Sequence, residues 1–172
     1  NSVIDKGAAA YIQEEVYRDP FTKDVVKTDF LRLTEEQDNA LAKIIAAMDE
    51  KRQETFLLHG ITGSGKTEVY LQAIQRTIAD GKESIVLVPE ISLTPQMTER
   101  FKSRFGDEVA VMHSGLSVGE KYDEWRKVQQ GKVKVVVGAR SAIFAPFKNL
   151  GLIILDEEHE STYKQEDSPR YH

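Results

Sequence analysis

A chain of 172 residues, 40% hydrophobic and 30% charged, is one domain's worth of ordinary globular sequence, long enough to bury a core. It has no cysteine, which removes disulfides and thiolate metal sites, and no run of about 18 apolar residues that could span a membrane, so a cytoplasmic protein with no membrane partner is expected. The formal net charge of −5 supplies no overall positive field, so any nucleic-acid contact must rest on a local patch.

Residues 1–33 read as the end of a preceding domain plus a linker. Residues 8–16 could form a short helix, which Tyr17-Arg18-Asp19-Pro20-Phe21 breaks. Residues 22–30 mix charge and β-branched side chains without period, and the start coincides with no recognisable boundary, as expected of a piece of a longer protein. A single lobe is expected over 34–172. Thr34 is an N-cap, and Gln37 closes a capping box. Leu41, Ile44, Ile45 and Met48 follow at helical spacing, which predicts a helix to about Lys51.

Thr55-Phe56-Leu57-Leu58-His59 reads as a strand, and residues 68–78 as a helix with Gly81 at its C-cap. Ile85-Val86-Leu87-Val88 is a continuous apolar run, as in a buried parallel strand. Thr94 and Pro95 open a helix carrying Met97, Phe101 and Phe105. A strand is expected over 109–112. Ser117 and Glu120 form a second capping box, leading a helix with Tyr122, Trp125, Arg126 and Val128 that Gly131 can close. Strands are expected over 133–137 and 152–155. This alternation predicts an α/β fold, a parallel sheet with helices on both faces. Right-handed crossovers then gather the loops 59–67, 89–94, 113–117, 138–142 and 156–159 along one edge.

Two of those loops carry chemistry. Gly60-Ile61-Thr62-Gly63-Ser64-Gly65-Lys66-Thr67 fits the phosphate-binding P-loop, between a strand-like run and a helix as that motif requires. Its glycines let successive N–H groups turn inward, and the helix adds the positive end of its dipole. Lys66 is placed to reach the β- and γ-phosphates of ATP, and Thr67 to hold Mg²⁺. The second loop is Asp156-Glu157-Glu158-His159. Asp156, at a strand end, can hold Mg²⁺, Glu157 can orient and deprotonate the attacking water, and His159 can sense the γ-phosphate. Gln37 has two readings, as the cap alone or as a donor–acceptor pair for the adenine edge.

A P-loop followed by an Asp-Glu-x-His box resembles the first motor lobe of a superfamily 2 helicase, a RecA-like lobe. The runs 59–70, 88–96 and 138–146, with Tyr163-Lys164-Gln165 and Arg170-Tyr171-His172, are similar to the primosomal protein N′ family of bacterial replication-restart helicases, over residues 17–172. The resemblance implies a 3′→5′ ATP-driven helicase acting on single-stranded and forked DNA in the bacterial nucleoid. It also implies primosome proteins, other replication-restart proteins and single-stranded DNA-binding protein as partners. It assigns adenine contact to Gln37, the ATP motifs to Gly60, Thr62, Gly63, Ser64, Gly65, Lys66 and Thr67 and to Asp156, Glu157 and His159, and single-strand contact to the runs 90–96 and 138–141. Thr94 and Ser141 can bond phosphates and Arg140 adds charge, although Arg140 can equally serve a salt bridge. Tyr163, Lys164, Arg170 and Tyr171 suit stacking and phosphate contact, or a plain tail.

The family's second lobe with its arginine finger, its zinc-binding cysteine module and its N-terminal DNA-binding domain lie outside this chain, so the piece alone is expected to be inactive as a helicase. The strand that such lobes place between the P-loop strand and the Asp-Glu strand is likewise expected outside it, leaving the sheet incomplete or its edges free to pair with another chain.

Overall fold

The computed structural model describes residues 28–160 and Tyr163. The helix expected over 8–16 and the candidate DNA contacts Lys164, Arg170 and Tyr171 lie outside them.

Local signals set the helix boundaries. Thr34 and Gln37 form the expected capping box on α1 (Glu35–Asp49), which ends two residues before the expected limit at Lys51. Helix α2 (Lys66–Ala79) leaves the glycine-rich loop, and Gly81, at φ 73°, follows it in the left-handed region. Strand β1 (Glu83–Leu87) is next. Thr94 caps α3 (Pro95–Phe105), with its side-chain oxygen accepting from the Met97 N–H. Strand β2 (Val109–Met112) leads through the Ser117–Glu120 capping box to α4 (Val118–Gln129). Strands β3 (Val135–Gly138) and β4 (Leu150–Leu155) complete the set.

The four strands form one parallel sheet in the order β2-β3-β1-β4. Side chains alternate between its faces, as the pleat requires. On one face Val86, Val109, Val111, Val135 and Val137 meet Leu71 and Ile74 of α2 and Phe101 and Phe105 of α3. On the other, Ile85, Leu87, Ala110 and Val136 meet Val128 of α4, Ala142 and Tyr163. Over β1 and β3 both faces are therefore covered, which explains their unbroken apolar runs, whereas β4 is packed on one face only, through Leu152 and Ile154. Phe101 is fully buried, a burial worth about 1.5–3 kcal/mol. Helix α1 lies outside this core, with Leu41 on Val69 and Ala73 of α2.

One expected strand does not form. Residues 55–59 have no ladder partner among the described residues, and Leu57 is 76% exposed. The outer edge of β4 is also unpaired there, with Ile153 51% exposed. A strand exists only where a neighbour takes up its N–H and C=O groups. The run has strand composition, and the described residues supply no strand beside it.

Residues 28–33 run along α2 and α3. Thr28 donates its N–H to the Ser103 carbonyl, and Leu31 its N–H to the Glu68 carboxylate at 3.1 Å.

Candidate active site

Loop 60–67 sits where the sheet's C-terminal edge meets the start of α2. Gly63 and Gly65 have φ of 81° and 82°, a conformation that costs a residue with a Cβ about 1–2 kcal/mol. Gly65 is the N-cap of α2 and brings no side-chain acceptor to its first amides. Those amides and the helix dipole are left facing the loop, as an anion site requires. Lys66 lies across the loop, its Nζ donating to the carbonyls of Gly60 (2.5 Å) and Ile61 (3.1 Å). Thr62, Gly63 and Ser64 are exposed along the rim.

Gln37 reaches this loop. Its Oε1 accepts from the Thr34 N–H at 2.9 Å, and its Nε2 donates to the Ser64 carbonyl at 2.8 Å. The capping role and a position at the loop therefore coexist. A Cβ on Gly65 would lie 2.3 Å from Gln37 Nε2. Gln37 can move aside, but at φ 82° a Cβ is strained whatever the space, so Gly65→Ala is expected to distort the loop and weaken any nucleotide binding there, measured by calorimetry with ATP in the full-length protein. Unchanged affinity would show that the loop's left-handed turn is not needed.

The acidic loop follows β4. The Asp156 N–H continues the ladder to the Leu87 carbonyl at 2.9 Å, which fixes it at the strand end. Burial first, and then the neighbouring charge of Glu157, push the Asp156 carboxyl above the usual carboxylate range. Hydrogen bonds from Tyr70 and the Glu157 N–H and the charge of Lys66 pull the other way. Of these causes, the repulsion from Glu157 is the one that a nearby cation relieves. Glu157 has φ 52°, in the left-handed region that strains a residue with a Cβ. Its Oε2 lies 3.4 Å from His159 Nε2, and both side chains are exposed.

The two loops are joined by a residue the motif reading missed. The Tyr70 hydroxyl lies 3.1 Å from Thr67 Oγ1 and 3.3 Å from Asp156 Oδ2. Thr67 and Asp156, expected to share a metal ion, are thus held to one phenol. Its spacing from Thr67, three residues along a helix, was the available signal. Among the described residues no three His, Asp or Glu side chains cluster as a metal cage. One hydroxyl and one carboxylate instead suit Mg²⁺, which typically keeps several waters and takes phosphate oxygens as further ligands.

The candidate DNA residues separate. Thr94 is exposed, with its hydroxyl engaged as the α3 cap at 3.2 Å. Arg140 and Ser141 line a pocket of about 160 Å³ together with Pro89, Glu90 and Tyr163. Glu90 accepts from the Ser114 N–H at 2.7 Å, which ties the loop after β1 to the loop after β2. Burial raises the Glu90 carboxyl, but the Ser114 hydrogen bonds and the nearby His113 and Lys121 hold it below the usual range. Tyr163 is no exposed stacking platform. It is 3% exposed and packs on the β1/β3 face, and its hydroxyl donates to the Asp156 carbonyl at 2.6 Å.

Residues 30–171 match the family described as "Type III restriction enzyme, res subunit". The chain belongs to that family. It is 64% identical over 172 residues, 99% of this chain and 21% of the relative, to the protein named Replication restart protein PriA of Bacillus subtilis. It is 48% identical over 172 residues to the protein of the same name from Synechocystis, again 99% of this chain and 20% of the relative. The chain thus spans about a fifth of the length of these curated relatives. A solved structure titled "Structure of RecG bound to three-way DNA junction" superposes with a TM-score of 0.68 at 32% identity, covering 76% of this chain and 18% of that one. The resemblance to replication-restart proteins holds over nearly the whole chain, and the fold is an α/β, RecA-like lobe.

Proposed function

We propose that this chain is the ATP-binding lobe of a 3′→5′ DNA helicase that couples ATP hydrolysis to translocation on, and unwinding of, branched DNA during replication restart and primosome assembly. The lobe occupies 34–172, with 1–33 as the connector before it. Single-stranded and forked DNA, primosome proteins and single-stranded DNA-binding protein are its partners, in the bacterial cytoplasm at the nucleoid. Zinc belongs to the longer protein, outside this chain.

One observation carries this reading: Thr67 of the phosphate loop and Asp156 of the acidic loop meet at one phenol. Mg²⁺, if held there, would supply charge neutralisation to the nucleotide phosphates. Loop amides 60–67 and Lys66 would bind the phosphates, Thr67 and Asp156 would hold the ion, and Gln37 would read adenine. Glu157 would take the proton of the attacking water, with His159 beside it. Thr94, Arg140 and Ser141 would contact the strand, joined by Lys164, Arg170 and Tyr171.

The test is Lys66→Ala in the full-length protein. An ammonium bonded to phosphate is worth about 1.5–3 kcal/mol, or about ten- to hundredfold in affinity. ATP affinity by calorimetry should fall by that factor, with turnover lost. Unchanged kcat and KM would overturn the assignment of this loop.

A further inference from the structure

We infer that Tyr70 is a positioning residue for the nucleotide-bound metal, its hydroxyl holding the Thr67 hydroxyl and the Asp156 carboxylate as a pair. This rests on the proposed assignment of Thr67 and Asp156 to Mg²⁺.

The geometry is specific. Tyr70 stands three residues after Thr67 in α2, so both side chains occupy one helix face. Its ring is buried and stacked on Phe101 of α3, with centroids 6.4 Å apart and planes 15° apart. The ring is therefore clamped, and the hydroxyl has one direction to point. It meets Thr67 Oγ1 at 3.1 Å and Asp156 Oδ2 at 3.3 Å, the second contact bridging 86 positions of sequence. A single phenol proton cannot serve both oxygens. The carboxylate is the stronger acceptor, and the Thr67 hydroxyl can then donate to the phenol oxygen.

This arrangement has two effects. It aims Asp156 Oδ2 at the end of β4, leaving Oδ1 to accept from the Glu157 N–H at 3.1 Å. It also orients the Thr67 hydroxyl so that an oxygen lone pair is open to a cation. A buried tyrosine commonly finds some hydrogen-bond partner. Here both partners are the expected metal ligands, one from each loop. Groups that orient metal ligands in this way typically carry about 10–100-fold in metal affinity or activity.

The experiment compares wild type, Tyr70→Phe, Phe101→Leu and Lys66→Ala in the full-length protein. Each is titrated with a slowly hydrolysed ATP analogue across a series of Mg²⁺ concentrations, alongside thermal unfolding. Tyr70→Phe keeps the ring and its stacking and removes only the hydroxyl. Its Mg²⁺ midpoint for tightened nucleotide binding should rise about tenfold or more, with metal-free affinity unchanged. Phe101→Leu, which loosens the clamp but keeps the hydroxyl, should lower Tm and raise the Mg²⁺ midpoint less than Tyr70→Phe does. A wild-type Mg²⁺ midpoint in Tyr70→Phe, with binding still dependent on Lys66, would overturn the role of Tyr70 alone. Wild-type binding indifferent to both Mg²⁺ and Lys66→Ala would overturn the nucleotide site itself, and Tyr70 with it.

Discussion

Glu157→Gln should retain nucleotide and single-strand binding in the full-length protein while phosphate release falls by at least about 10²-fold, the lower range for loss of a general base. Glutamine keeps size and polarity but cannot accept the water's proton. Glu157 suits that role because its neighbour is pinned and it is not. Asp156 is fixed by the ladder, by Tyr70 and through its carbonyl by Tyr163. Glu157 stands on a left-handed backbone, with its carboxylate 3.4 Å from the exposed His159 and its own side chain 43% exposed. Asp156→Asn should therefore lose Mg²⁺-dependent nucleotide affinity as well as hydrolysis. Calorimetry with Mg²⁺ and phosphate release with single-stranded DNA give the two readings. Hydrolysis at a near wild-type rate in Glu157→Gln would move the base elsewhere, with Glu158 next in line. Equal failure of both variants to bind ATP would make the acidic loop structural.

Arg104→Ala should destabilise the 172-residue chain by about 3–5 kcal/mol, the cost of leaving one buried charge without its partner. Arg104 donates from both Nη atoms to the two Glu68 oxygens at 3.0 Å, and both side chains are nearly buried. Gln72 Nε2 and the Leu31 N–H also donate to Glu68, and the guanidinium lies 4.7 Å from the Phe30 ring centre. One carboxylate thus joins α2, α3 and the segment before α1.

The pH dependence has a definite sign. Burial raises the Glu68 carboxyl, but Arg104, Gln72 and Leu31 outweigh it and hold it below the usual range. A depressed carboxylate contributes stability above its unfolded value, about 4.3, and loses that contribution as pH falls through the lower folded value. Arg104→Ala removes the largest of the lowering causes, so the variant's Glu68 titrates above that of the wild type, and the gap between them should narrow as pH falls through the acid range toward the wild type's folded value. Urea unfolding followed by Trp125, the chain's one tryptophan, measures both effects. Glu68→Leu with Arg104→Met should recover most of the loss, since apolar replacement of both partners is close to neutral. A single-variant loss under about 1 kcal/mol, the ceiling for an ordinary surface pair, would show that the pair is effectively solvated.

Local rules determined much of this protein from sequence alone. The boxes Thr34–Gln37 and Ser117–Glu120, the Thr94 cap, the β1–β4 runs and the glycine-rich turn before α2 each depend on residues within a turn or two of one another. Their physics acts over that range, so a one-dimensional reading captures it. What lies far apart in sequence could not be read this way. Glu68 and Arg104, 36 positions apart, carry no mark that they pair. Tyr163 has the composition of a nucleic-acid contact, yet the packing of the β1/β3 face buries it. Tyr70 reads as a core residue of an amphipathic helix until β4 brings Asp156 to its hydroxyl. Residues 55–59 show the same limit from the other side: propensity wrote a strand, and only a neighbouring backbone could have made it one.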